Sequence, residues 1–385
     1  MGLSKNKANL LLVLFGCALA FIVTEVALRA YNPFQFRVKG NKIRLPVFFN
    51  YKFELKNTKR LDKLVIHTKN SIGFRGEEEP EKPEKYLTII AVGGSTTENF
   101  IITDGKTWPA ILGVKLKESF KRVWINNAGL DGHSTFGHAV LMEDYIVKIK
   151  PKVVLFLVGI NDVWLTETPN GYDIGLKRDL TINLGSIKAF FRTAGNYSEV
   201  FALAYNLYRF SKKIHYPYTN VSDSWLEKFI TLDIPKNQEI NIVNKELEEF
   251  NKKYKRGYSL RLKKLIKLSK ENSIQPVLIT QPALYGNEID DLTQINLGSI
   301  KVGNGRNGNI AWRRLELFNN MTREIGLEKK VLVIDLANEM PKSSRYFYDT
   351  VHYNNEGARK VAEIIDKSLQ PFLRNKYGEY AKNFN

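Results

Sequence analysis

One cysteine, Cys17, stands in a chain of 385 residues. A single thiol cannot close an intramolecular disulfide or build a cysteine-based metal cluster, so neither holds this fold together. The serine-bearing stretch GGSTT at 93–97 is not Gly-x-Ser-x-Gly, which disfavours the nucleophile elbow of an α/β-hydrolase. An isolated basic tract is also missing, although Lys and Arg outnumber Asp and Glu by 58 to 40 and the formal net charge is +18. Stretches such as NKELEEFNKKYKRGYSLRLKKLIKLSKEN mix both signs, as solvated helix faces do. No recognition motif accompanies the charge, so nucleic acid is not expected as a partner. GNGRNG, Gly303 to Gly308, matches a dinucleotide fingerprint by its letters. No strand leads into it and no βαβ unit surrounds it, so it reads as a loop. His133 and His138 are spaced poorly for a shared metal. Neither a cofactor nor a metal is expected.

What is present begins at the amino terminus. No charge occurs from Ala8 to Thr24, a length marginal for a membrane-spanning helix and sufficient if the next residues lie in the interface. Lys5 and Lys7 precede the run and favour a cytoplasmic amino terminus, whereas Arg29, Arg37 and Lys39 follow it and weaken that argument. Ala18-Leu19-Ala20 would suit a signal-peptidase site. The apolar run continues past Ala20, so an uncleaved anchor over 8–28 is the preferred reading, after a basic segment at 1–7. A lipid on Cys17 and an amino-terminal myristoyl group both fit their motifs poorly.

Apolar residues make up 43% of the chain, enough for a substantial core. Residues 31–85 read as an entry segment and linker, with FFNYKFELKN and LDKLVIHTKNSIGFRG as short strands and EEEPEKPEKY as a charged connection. Five short apolar runs then appear: YLTIIAVGG, RVWINNAG, KVVLFLVG, QPVLITQP and KVLVIDLA. Their near-continuous Val, Ile and Leu predict strands buried on both faces of a parallel sheet. Helical patterns lie between them. TWPAILGVKLKESF carries a Thr cap and an early Pro, and NIAWRRLELFNNMTREIG closes on Gly326 as a C-cap. The alternation predicts an α/β fold over 86–375, a doubly wound sheet with helices on both faces. The stretch from about 165 to 255 exceeds a simple crossover and reads as an insertion, partly helical, beside the site.

In open α/β sheets ligands bind outside the carboxyl ends of the strands. The first run ends at Gly94-Ser95, the second at Asn127-Ala128-Gly129, the third at Gly159-Ile160-Asn161-Asp162, and YDTVHYNNEG follows the fifth. A hydroxyl, a close-approach glycine, a side-chain amide and the pair Asp349 and His352 would thus meet on one rim. That set suits acyl transfer. Ser95 becomes a nucleophile when His352 removes its proton, and Asp349 orients the ring and stabilises the imidazolium. The backbone N–H groups of Ser95 and Gly129 and the Asn161 amide could serve as an oxyanion hole.

Ser95 in GGSTT, Gly129 in NAGLDGHST, Asn161 in VGIND and His352 in DTVHYNNEG resemble the four blocks of the SGNH or GDSL-type serine hydrolases. NSIGFRG upstream looks like the lead-in of membrane-anchored members. The resemblance covers about 86 to 370 and implies a flavodoxin-like three-layer α/β/α sandwich with a five-stranded parallel sheet. It also implies ester hydrolysis without a cofactor. Gly94 stands where the name motif has Asp.

Taken singly, each residue has a plainer reading: Ser95 as a turn residue, Gly129 as a tight bend, Asn161-Asp162 as a cap, Asp349 and His352 as a surface pair. Taken in this order they favour catalysis. The expectation is a membrane-anchored serine esterase with an extracytoplasmic catalytic region. Its substrate would be an O-acyl ester, such as an acetyl ester of an envelope glycan or lipid. An O-acyltransferase using a sugar hydroxyl, and a non-enzymatic envelope protein on the same fold, are the alternatives.

Overall fold

The computed structural model describes residues 5–34, 36, 38–56, 58–167, 187–211, 231–232, 237–302 and 305–382. Much of the expected 165–255 insertion therefore lies outside the described residues. The chain divides into two compact units, one formed by Met1–Pro46 with Gly175–Tyr216 and the other by Val47–Ile174 with Pro217–Asn385.

In the first unit, helix α1 (Lys5–Ala30) is long and apolar enough to cross a membrane, and none of its apolar window is buried. Such a helix could be a membrane anchor or a signal sequence. A two-stranded turn at Val38–Ile43 follows it.

The second unit opens with an antiparallel hairpin, β1 (Phe49–Glu54) on β2 (Leu64–Lys69), as the two short runs of the entry segment suggested. A central six-stranded sheet follows. Its strands are β3 (Arg75–Gly76), β4 (Leu87–Gly93), β5 (Val123–Asn127), β6 (Val153–Leu157), β7 (Gln275–Ile279) and β8 (Val333–Ile334), in the spatial order β8-β7-β6-β4-β5-β3. The five expected runs all pair in parallel. The sixth strand, β3, was not expected; it pairs antiparallel with the end of β5, Arg75 opposite Asn127. Two residues are too few to carry a strand pattern, so only the pairing reveals it.

Every residue of β4 and β6 is buried, which is why these strands lack alternation. Around the sheet lie α2 (Ser95–Glu98), α3 (Trp108–Ser119), α4 (Thr135–Leu141) and α5 (Ile160–Glu167). Helices α6 (Ile187–Ala194) and α7 (Glu199–Ser211) belong to the first unit. The long α8 (Asn237–Glu271), α9 (Gly308–Lys329) and α10 (Asn355–Lys376) complete the sheet's cover. Helix α3 packs with α10, and α8 packs with α4 and α9, giving a three-layer α/β/α sandwich.

Two local expectations change. Thr107 occupies the N-cap of α3 without a side-chain hydrogen bond. Gly326 is not a C-cap: α9 runs on to Lys329, and Lys330 takes the left-handed conformation. A β-carbon on Gly326 would lie 2.0 Å from Val333 Cγ2, so this glycine lets the helix approach β8 closely. Arg306 and Asn307 of the glycine-rich stretch pair with Lys301–Val302, and the Asn307 side chain caps α9 through Ile310 N–H at 3.0 Å. Gly303 and Asn304 lie outside the described residues.

Candidate active site

The parallel strands run in the order 2-1-3-4-5, so the direction of winding reverses between β4 and β6. The crevice outside their carboxyl ends is the expected ligand position. Ser95 stands there, the first residue of α2 and half-buried in an otherwise buried stretch.

The turn needs both of its glycines. A β-carbon on Gly93 would lie 2.1 Å from Thr97 Oγ1, and one on Gly94 would lie 2.1 Å from Asn161 Nδ2. Gly94 therefore does more than replace the Asp of the name motif. The Asn161 amide fills the space in which a side chain would begin. Asn161 Nδ2 donates to His133 O at 2.7 Å, leaving its second N–H for another acceptor.

His352 faces Ser95 from the loop after β8. Its Nε2 lies 2.7 Å from Ser95 Oγ, and its Nδ1 lies 2.6 Å from Asp349 Oδ2. The three-residue spacing has a local cause. Asp349 Oδ1 accepts the backbone N–H groups of Val351 at 2.8 Å and His352 at 2.7 Å, so one carboxylate closes the turn and holds the ring. Burial alone would push the imidazole pKa down, but the Asp349 carboxylate, its hydrogen bond and the charge of Asp131 hold it above the ordinary value. Burial raises Asp349 less than His352 and the two backbone N–H groups lower it, so it stays ionised below the usual carboxylate range. The contrast with other histidines is informative. His138 is pushed down to about 3 by burial, and His67 to about 2 by burial and then by the Arg75 and Lys69 charges. Of these three imidazoles, His352, hydrogen-bonded to a carboxylate, is the one that is raised.

Gly129 packs against α2, where a β-carbon would meet Glu98 N at 2.3 Å. Its N–H already donates to Asn127 Oδ1 at 2.9 Å. The structure thus brings Ser95, His352, Asp349, Asn161 and Gly129 to one rim, with the Gly129 donor engaged by a side chain. His133 and His138 have ring centroids 5.8 Å apart, and no group of three or more His, Cys, Asp or Glu could hold a metal ion among the described residues. Asp162 is buried, and its partners are Thr135 and Arg261: it accepts from Thr135 Oγ1 at 2.5 Å and from Arg261 Nη2 at 3.1 Å.

Several supporting residues were not anticipated. Arg75 uses all five of its donors: Nε and Nη2 bind Asp104 Oδ1, Nη1 binds the carbonyls of Glu98 and Asn99, and Nη2 also binds Ile102 O. Lys69 Nζ lies 3.4 Å from Glu98 Oε1 with both side chains almost fully buried, and Asp131 N–H donates to Glu98 Oε2 at 2.5 Å. Asn127 Nδ2 binds Thr97 O at 2.6 Å, Trp108 Nε1 binds Thr96 O at 3.1 Å, and Thr96 Oγ1 binds Gln281 Oε1 at 3.1 Å. The one available signal was NSIGFRG, which contains Arg75.

With this geometry in hand, comparison with known proteins is informative. Residues 91–360 match the profile of the GDSL-like lipase/acylhydrolase family. An acetylxylan esterase from Geobacillus stearothermophilus is similar in structure, with 16% identity, 77% of this chain and 96% of that chain covered, and a TM-score of 0.39. A GDSL-like lipase from Bacteroides thetaiotaomicron shows 12% identity, 78% and 93% coverage and a TM-score of 0.38. A protein described as lipolytic and of the G-D-S-L family, from Desulfitobacterium hafniense, shows 14% identity, 73% and 99% coverage and a TM-score of 0.38. No curated protein matches the sequence.

Proposed function

The chain belongs to the GDSL-like lipase/acylhydrolase family, and on that premise we propose that it is a membrane-anchored serine esterase acting through an acyl-enzyme. The observation that carries this reading is the unbroken chain from Ser95 Oγ through His352 to Asp349, with separations of 2.7 and 2.6 Å.

Ser95 Oγ attacks the ester carbonyl carbon as its proton passes to His352 Nε2. Negative charge grows on the carbonyl oxygen, where the Ser95 N–H and the second N–H of Asn161 donate. The Gly129 N–H joins only by sharing its proton with Asn127 Oδ1. The carbon–oxygen bond to the alcohol breaks and His352 returns the proton to the leaving alkoxide. Water then attacks the acyl group, loses its proton to His352, and releases the carboxylic acid and Ser95. Asp349 keeps Nδ1 protonated throughout, so Nε2 is the basic nitrogen. The substrate class is an O-acyl ester, such as an acetyl ester of an envelope glycan or lipid, and α1 holds the enzyme at the membrane with its catalytic unit outside the cytoplasm.

The test is labelling of the full chain in detergent with a fluorophosphonate, alongside hydrolysis of p-nitrophenyl acetate. Ser95→Ala should abolish labelling and lower kcat by about 10⁶, and His352→Ala should strongly suppress both. Labelling that persists in folded Ser95→Ala would overturn the assignment.

A further inference from the structure

We propose that helices α6 and α7 form a membrane-interface element, whose aromatic cluster enters the lipid headgroup region beside the end of α1. The proposal rests on the anchor reading and adds a role for part of the chain between the third and fourth parallel strands.

Glu25 is the first charged residue after the uncharged run Ala8–Thr24, so it marks where a spanning helix would leave the hydrocarbon. Its carboxylate does not face solvent. It accepts Ser198 Oγ–H at 2.7 Å and the N–H groups of Glu199 and Val200 at 3.1 Å each, which lie at the start of α7 and would otherwise lack partners. Arg29 Nε closes the same carboxylate at 2.7 Å, and Arg29 Nη2 reaches Tyr197 O at 2.7 Å. The next part of the chain repeats the attachment. Glu199 accepts from Lys39 at 2.6 Å, Arg44 at 2.8 Å and Asn32 at 2.9 Å, and Asn206 Nδ2 donates to Val38 O at 2.7 Å. The two helices are therefore fastened at the point where α1 ends.

Their aromatic rings continue the surface of α1. Phe21 meets Phe201 at 5.6 Å between centroids, and Phe201 in turn meets Phe190 at 5.7 Å and Phe191 at 5.6 Å. Phe190 is 41% exposed and Phe21 38% exposed. Phe21 precedes Glu25 by one helical turn, about 6 Å along the axis. That depth falls in the roughly 5–10 Å to which interfacial helices sink. In water, a cluster of exposed rings joined to an uncovered apolar helix is unfavourable; at the headgroup boundary aromatic rings are favoured. Continuity with α1 selects a lipid surface over a protein partner.

The experiment uses the full chain carrying Cys17→Ser, with one cysteine restored at Phe190 or at Val13 and an environment-sensitive fluorophore attached. The protein is reconstituted in phosphatidylcholine–phosphatidylglycerol vesicles that contain shallow or deep nitroxide lipids. The label at 13 should lose fluorescence to the deep nitroxide and the label at 190 to the shallow one. Quenching at 13 together with a label at 190 that responds only to aqueous iodide overturns the interface and leaves the anchor standing. Quenching at 13 with a label at 190 shielded from both iodide and lipid means that protein covers the ring, which also overturns it. Absence of deep quenching at 13 removes the anchor reading and this inference with it. Should Phe190→Cys fail to fold, a label on Tyr197→Cys, which removes none of the four rings, carries the same expectation of shallow quenching.

Discussion

The short helix that starts with Ser95 has two sides built on opposite rules. Toward the rim, Ser95 is half-buried and its hydroxyl meets titratable chemistry, the imidazole of His352 backed by Asp349. Toward the interior, the other three residues of the helix are held by groups that have no proton to exchange near neutral pH: the guanidinium of Arg75 on the Glu98 carbonyl, the indole of Trp108 on the Thr96 carbonyl and the amide of Asn127 on the Thr97 carbonyl. The buried Lys69–Glu98 ion pair lies on the same side. A nucleophile must be placed to within a fraction of an ångström while its proton moves. In the proposed mechanism placement and proton transfer fall to different sides of one turn.

The comparison breaks most severely at Asp349. Asp349→Asn should lower kcat by about 10⁴, because the ring loses the carboxylate that selects its tautomer. The pH profile supplies the sign. In the proposed mechanism the basic form of His352 does the work, so the acid limb of kcat/KM in the wild type should lie above the ordinary histidine value of about 6.5. In Asp349→Asn the larger of the two charges that oppose burial is gone, so the limb should move to lower pH even as the rate falls. An unmoved limb would mean that another group controls it.

Lys69→Met tests the interior side. Leaving Glu98 buried without its ammonium should cost about 3–5 kcal/mol of stability in urea unfolding, since removing one partner of a buried ion pair is expensive. The turnover of the molecules that remain folded should change little. The double variant Lys69→Met/Glu98→Gln should regain much of that stability. A large fall in turnover without loss of stability would show that the pair takes part in chemistry.

Asn161→Ala has the smallest expected effect, a loss of about 10²–10³ in kcat with KM nearly unchanged. Its readout sharpens the division, since Asn161 belongs to both sides: one N–H is spent on His133 O, and the other is the proposed donor to the developing oxyanion. An increase in KM at constant kcat would place the amide in substrate binding instead.

Parts of this site were legible because their causes are local. The apolar runs of β4 and β6 declare burial on both faces, and Gly93-Gly94 declares a turn too tight for side chains. Asp349 closes its own turn onto His352, so their spacing carries the orientation of the ring. Other features left no such trace. Gly326 has the look of a helix end until β8 is seen lying 2.0 Å from its missing β-carbon. Lys69 and Arg75 sit in a segment whose sequence suggests only short strands, and nothing near them announces Glu98 as a partner.

The sequence by itself determined the kinds of group available at each strand end, the length of the apolar amino-terminal helix and the alternation that makes a doubly wound sheet. Periodicity and turn chemistry act over a few residues, so they can be read along the chain. Tertiary structure decided which groups meet: Ser95 with His352 across 257 positions and Glu25 with Ser198 across 173. Those pairings follow from strand order and helix packing, which close long loops whose sequences carry no record of their partner.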